Sequence, residues 1–167
     1  PILLEFFSGA KDKNIYLFSP SIAEIEMFAG KFNKVYFSAM PAIETRLPDN
    51  VVQCRYDDNF EIKNGEKELA DYAFSHHVIE HIHPKDLEKH MRLVFSYLKT
   101  GGEYVIVCPS NIRIWKDQAS DNLDKKTAAN HHIGRYSYSG LSKMARNIGF
   151  GKVFHPILNP MFLTILE

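Results

Sequence analysis

The sequence predicts an α/β fold: a doubly wound, mostly parallel seven-stranded sheet with helices on both faces and an antiparallel strand at the carboxyl end. Three observations carry this expectation. Short, almost continuously apolar runs alternate with segments of helical periodicity, the pattern of strands buried on both faces. No repeat, low-complexity tract or Pro/Gly/Ser linker divides the 167 residues, so a single domain over 1–167 is expected. The last two apolar runs, 152–157 and 161–167, read as an antiparallel closing pair.

The elements follow in order. Residues 14–18 (NIYLF) form a buried-strand run, after which Ser19 is placed to cap a helix and Pro20 to occupy its first position. Ile22, Ile25, Ala29 and Phe32 recur at helical spacing, and Gly30 weakens the last turn. Strands are expected at 33–40, 50–56 and 70–76. Beyond Pro84, Leu87, Met91, Val94 and Leu98 share one helical face, with Asp86 and Glu88 in the first turn and Gly101-Gly102 as the stop. Residues 103–109 (EYVIVCP) make a fifth strand. A last helix, about 140–148, has Ser137 or Ser139 as its cap, Leu141, Met144, Ala145 and Ile148 facing inward, and Gly149 at its end.

Composition excludes several classes. Twenty basic residues balance twenty acidic ones, so no basic footprint for nucleic acid is present. Cys54 and Cys108 are far apart and outside any CxxC spacing, which argues against a disulfide framework or a thiolate zinc site. The opening PILLEFF has no basic flank, and no apolar run approaches the ~20 residues that span a bilayer. A cytoplasmic protein without membrane or nucleic-acid partners is expected.

Residues 71–86 (DYAFSHHVIEHIHPKD) hold four of the eight histidines. As a string, His77-Val-Ile-Glu80-His81 matches the H-x-x-E-H signature of zinc peptidases, whose two histidines must sit one helical turn apart. The preceding DYAF reads as strand, and Pro84 reads as the start of a new helix, which conflicts with that signature. Placed at the end of the fourth strand instead, the stretch sits where open α/β sheets gather ligands. No G-x-G-x-x-G follows the first strand, so a dinucleotide-binding dehydrogenase is disfavoured.

Together with MRLVFSYLKTGGEYVIVCPSN (91–111) and HHIGRYSYSGLSKMARNIGF (131–150), the segment ADYAFSHHVIEHI (70–82) resembles the class I S-adenosylmethionine-dependent methyltransferases of the small-molecule type, over most of the chain. The resemblance implies a Rossmann-like fold, S-adenosylmethionine as cofactor and a small acceptor as partner. Its implied cofactor contacts are Phe18, Ser19, Pro20 and Ser21 after the first strand, Ser38 and Met40 after the second, Asp57 and Asp58 after the third, and Ser75 and His76 at the fourth. The implied base is His81, His131 or His132, with Glu80 to orient an imidazole. A histidine serves near neutral pH when a hydroxyl must lose its proton. Some relatives bind a divalent ion through an E-x-x-E-H cluster, for which His77, Glu80, His81 and His132 are the matching set, although no metal is the expectation. Alternatively, Glu80 and His81 bond nearby backbone. Arg113, Trp115, Arg135, Tyr136 and Tyr138 are placed to shape an acceptor pocket, whereas His83 and His90 flank a surface helix and are expected to be solvated.

Two positions depart from the family pattern. Ser19 and Ser21 stand where a glycine lets backbone approach the cofactor, and the second strand ends Phe-Ser-Ala-Met without the acid that accepts from ribose hydroxyls. Losing one such acceptor costs about 1 to 3 kcal/mol of binding. Glu44, Asp57 or Asp58 could substitute. Glycine at 19 and an acid at 38 would restore the pattern. The sequence therefore supports two functions: methyl transfer to an oxygen or nitrogen of a small acceptor such as a sugar derivative, or a non-catalytic binding module on the same fold.

Overall fold

The computed structural model describes residues 6–39, 44–54, 67–109, 137–154 and 161–166. Met40, Asp57, Asp58, Arg113, Trp115, His131, His132, Arg135 and Tyr136 lie outside them.

Strands β1 (Asn14–Phe18), β2 (Lys34–Ser38), β3 (Val51–Gln53), β4 (Ala70–His76), β5 (Leu98–Pro109), β6 (Val153–Phe154) and β7 (Met161–Leu166) form one sheet in the order β3-β2-β1-β4-β5-β7-β6. The first five run parallel, while β7 pairs antiparallel with β5 and β6. The expected mostly parallel α/β sheet is therefore present. Helix α1 (Ile22–Ala29) covers one face, and α2 (Pro84–Tyr97) and α3 (Tyr138–Ile148) cover the other.

Strand β1 shows why both faces are dry. Alternate side chains leave a strand on opposite sides. Ile15 and Leu17 join Phe7, Ile25, Phe28, Val35 and Phe74 beneath α1, whereas Tyr16 and Phe18 join Leu87, Met91, Val94, Tyr97 and Leu141 beneath α2 and α3. The rings of Tyr16 and Tyr97 stack with centroids 4.3 Å apart. At the strand's amino end the Asn14 amide donates to Asp71 Oδ2 at 2.9 Å, and Lys99 Nζ donates to the same oxygen at 2.9 Å, which ties the starts of β1, β4 and β5.

Several boundaries differ from the sequence expectation. Ser21, not Ser19, caps α1: its hydroxyl accepts from the Glu24 amide while the Glu24 carboxylate accepts from the Ser21 amide, a reciprocal capping box. This start turns Ile22 outward, 48% exposed, and gives the inner stripe to Ile25, Phe28 and Phe32. Helix α2 ends at Tyr97, before the glycine pair. Its last carbonyls, on Ser96 and Tyr97, accept from the Glu68 and Leu69 amides leading into β4, so the chain turns to strand there.

Gly101 and Gly102 lie inside β5, where the register slips between the pairs Ala70 with Leu98 and Tyr72 with Glu103. Gly101 takes φ 78°, which suits glycine. The expected cap of α3 holds, with the Gly140 amide donating to Ser137 Oγ at 3.1 Å. Both Cys54 and Cys108 are free thiols.

Candidate functional site

The chain winds from β1 outward to β2 and β3, then returns to lay β4 and β5 on the other side of β1. The strand order thus reverses between β1 and β4, and the crevice outside their carboxyl ends is the topological switch point. Phe18 is in register with both Ser38 of β2 and Ser75 of β4, so the loops after these strands meet along one rim.

Beyond Phe18, Ser19 takes φ 46° with its side chain exposed, and its amide donates to the Ser38 carbonyl at 2.8 Å. Beyond His76, His77 takes φ 55°, and its amide donates to the Val107 carbonyl at 2.9 Å. A left-handed backbone costs a non-glycine residue roughly 1 to 2 kcal/mol. Two neighbouring strands therefore each end in a strained residue anchored to the strand beside it, an arrangement that clusters at functional sites.

Side chains then cross the gap. Glu24 Oε2 accepts from the Ser21 amide and hydroxyl, each at 2.8 Å, and Oε1 lies 2.9 Å from His76 Nδ1. Burial alone would raise the pKa of this carboxyl, but the Ser21 amide, His76 and the Ser21 hydroxyl outweigh it and hold Glu24 below its ordinary pKa. On the β4 side a 3-10 turn over Ile79–His81 buries Glu80, whose Oε1 lies 2.8 Å from His77 Nδ1. The other oxygen of Glu80 is buried without a hydrogen-bond partner among the described residues.

Among the residues named from the sequence, Ser19, Pro20 and Ser21 follow the end of β1 and His76 and His77 stand at the neighbouring end of β4, with Glu80 bonded to His77 and His81 next in the 3-10 turn. Phe18, Ser38 and Ser75 sit below it, with side chains at most 2% exposed. Phe18 packs on Tyr16, Tyr97, Tyr104 and His90, while Ser75 Oγ is 2.9 Å from the Tyr104 hydroxyl. Phe18 and Ser75 thus fill the layer beneath the rim, and only their backbone borders it. Glu44 is an exposed loop residue.

Several expectations change. His90 is not solvated: it is 1% exposed, with Nε2 3.1 Å from the Tyr104 hydroxyl, and burial pushes its pKa down to about 3. His83 is spoken for as well, since its ring accepts from the Lys85 amide at 3.2 Å and caps α2. Residues 77–81 pass from strand end to 3-10 turn, so His77 and His81 do not share an α-helical turn and the zinc-peptidase geometry is lost. Among the described residues no group of three or more His, Cys, Asp or Glu side chains is arranged to hold a metal ion.

Sequence reasoning missed Glu24, although Ser-Ile-Ala-Glu (21–24) carries the S-x-x-E signature of a capping box. It also missed the Ser75-Tyr104-His90 chain, which no local pattern announces. A groove of about 800 Å³ lies elsewhere, lined by Lys67, Phe95, Lys99, Gly102, Phe150 and Lys152. It borders the amino ends of β4 and β5, away from the switch point, and the third left-handed non-glycine residue, Glu68 with φ 53°, lines it.

The fold is that of the class I S-adenosylmethionine-dependent methyltransferases. The structure of DhpI in complex with SAH superposes with a TM-score of 0.69 at 14% identity, over 99% of this chain and 81% of that one. A SAM-dependent methyltransferase from Archaeoglobus fulgidus gives 0.69 at 14% identity, covering 99% and 89%. The Burkholderia thailandensis 1,6-didemethyltoxoflavin-N1-methyltransferase, with its substrate and S-adenosylhomocysteine bound, gives 0.68 at 12% identity, covering 99% and 74%. No protein-family model and no curated protein sequence matches the chain. At such identities the shared property is the fold.

Proposed function

We propose that this chain binds S-adenosylmethionine across the switch-point crevice and transfers its methyl group to an oxygen or nitrogen of a small, sugar-derived acceptor in the cytoplasm. The observation that carries the reading is the pair of left-handed, non-glycine residues, Ser19 and His77, at the ends of adjacent strands β1 and β4. Such strain persists only where surrounding structure over-determines it. Ser19 keeps the backbone turn that a glycine would supply, leaving the loop shaped for close approach despite the change of residue.

The residues present suit the cofactor in two respects. The crevice presents an ionised carboxylate, Glu24, toward a ligand that carries positive charge. It also offers the Ser19 hydroxyl on an exposed loop. When bound, S-adenosylmethionine supplies an electrophilic methyl group on a sulfonium whose sulfur leaves as a thioether. The protein then has to align the acceptor, exclude water and take up its proton. We assign proton uptake to His81, His131 or His132, with the buried carboxylate Glu80 next to His81 in the chain and bonded to His77. Pro20, Met40, Asp57 and Asp58 remain our proposed cofactor contacts from the neighbouring loops. No helix among the described residues is long and apolar enough to cross a membrane.

A second reading, a non-catalytic module on the same fold, is favoured by one observation: Phe18 and Ser38 are packed beneath the rim, and the Glu24 to His76 contact already bridges the crevice. Isothermal titration with S-adenosylmethionine and with S-adenosylhomocysteine separates the two. Saturable heat is expected for both compounds. Silence at millimolar concentration, with no thermal shift, would overturn the cofactor reading in favour of the module.

A further inference from the structure

The contact between Glu24 and His76 crosses from the first turn of α1 to the end of β4, over the point where the strand order reverses. Its two halves are held differently. Glu24 Oε2 takes two hydrogen bonds from Ser21, which fix the plane of the carboxylate and leave Oε1 facing His76. His76 Nδ1 makes one contact, 2.9 Å to that oxygen, from a ring that is 35% exposed at the strand end.

We propose that Glu24 selects for positive charge in the ligand, its Oε1 exchanging His76 for a cationic group that enters the crevice. The inference rests on the cofactor reading above and names which side chain reads the cofactor's charge. Three features support it. The carboxylate is pre-oriented by its own helix cap, so binding costs it little side-chain freedom. Its ionised form is favoured by the same bonds, against the opposing pull of burial. The partner it would give up is a part-exposed side-chain hydrogen bond, a type of contact that contributes little on its own. S-adenosylmethionine offers two cations, the α-ammonium and the sulfonium, whereas S-adenosylhomocysteine keeps only the first.

Titration of both compounds into the wild type, Glu24→Gln and His76→Ala tests the assignment. The Glu24→Gln amide oxygen can still accept from Ser21, and unfolding midpoints check that each variant is folded. Glu24→Gln is expected to weaken binding about tenfold, the value of one charge-assisted hydrogen bond. Weakening of both compounds assigns the α-ammonium, and weakening of S-adenosylmethionine alone assigns the sulfonium. His76→Ala removes the competitor and is expected to tighten binding about threefold. Undiminished binding by Glu24→Gln would overturn this inference alone, leaving the cofactor reading standing. No binding by any of the three proteins would overturn the cofactor reading and this inference with it.

Discussion

His90 and Tyr104 meet in the interior, Nε2 to hydroxyl at 3.1 Å, and Ser75 Oγ lies 2.9 Å on the other side of that hydroxyl. The chain joins α2, β5 and β4 directly under the candidate site. Burial holds His90 neutral, at about 3 against an ordinary value near 6.5. Between those values the unfolded chain binds a proton that the native chain refuses. Native stability therefore falls as pH drops through this window, by about 1.4 kcal/mol per pH unit from this group, and is fully present above pH 6.5. Urea unfolding from pH 7 to pH 5 should show the fall. His90→Gln, which retains a polar partner for Tyr104 but cannot titrate, should flatten it. Parallel slopes for the two proteins would mean that His90 is charged when folded.

Ser19 carries an avoidable backbone cost. Its φ of 46° is glycine-like, its side chain is exposed, and its amide bond to Ser38 needs no side chain. Ser19→Gly should therefore stabilise the protein, by about 1 kcal/mol or a rise of roughly 2 to 4 °C in Tm. Ser19→Ala should leave Tm near the wild-type value, because alanine meets the same strain. A drop in Tm for Ser19→Gly would show that the serine side chain contributes more than the conformation costs.

Much of the architecture was legible because it is written in short-range pattern. Continuous apolar runs placed β1 and β4 at their observed limits, and the Ser137 cap and the Leu141, Ala145 face of α3 follow directly from periodicity. What could not be read were positions decided by tertiary contact. Gly101-Gly102 look like a helix stop, yet the amides before β4 end the helix earlier by capturing its carbonyls. His90 looks like a polar residue on a surface helix, yet it faces the sheet between Phe18 and Tyr104. At the site, the end of β4 at His76 was visible from the apolar run alone. Glu24 was hidden because its partner stands 52 residues away.

Ser38 shows where family pattern and this chain part. The sequence suggests that an acid at the end of β2 would restore a ribose acceptor. In the folded protein, however, the Ser38 side chain is 1% exposed and lies on the same face as Tyr36, under α2. Ser38→Asp would force a carboxylate into that layer, with an expected loss on the order of 3 kcal/mol or a protonated acid. The expected outcome is a lower unfolding midpoint and no gain in affinity for S-adenosylhomocysteine. A stable Ser38→Asp protein with tighter binding would show that β2 ends at the rim after all.

The glycine pair in β5 allows a sharper comparison, since its two members serve different purposes. Gly101 has φ 78° and open space around a would-be Cβ, so Gly101→Ala carries only conformational cost, about 1 kcal/mol. At Gly102 a Cβ would come within 3.0 Å of the Lys99 carbonyl, 3.1 Å of the Asp71 carbonyl and 3.2 Å of Leu98 Cδ2. Two of those atoms are backbone, and Asp71 also anchors Asn14 and Lys99, so neither can retreat without loosening the joint between β1, β4 and β5. Gly102→Ala should cost more, about 2 to 3 kcal/mol in urea unfolding. Equal losses for the two variants would mean that the register slip relaxes freely and that residues 98–102 are not fixed by their contact with β4.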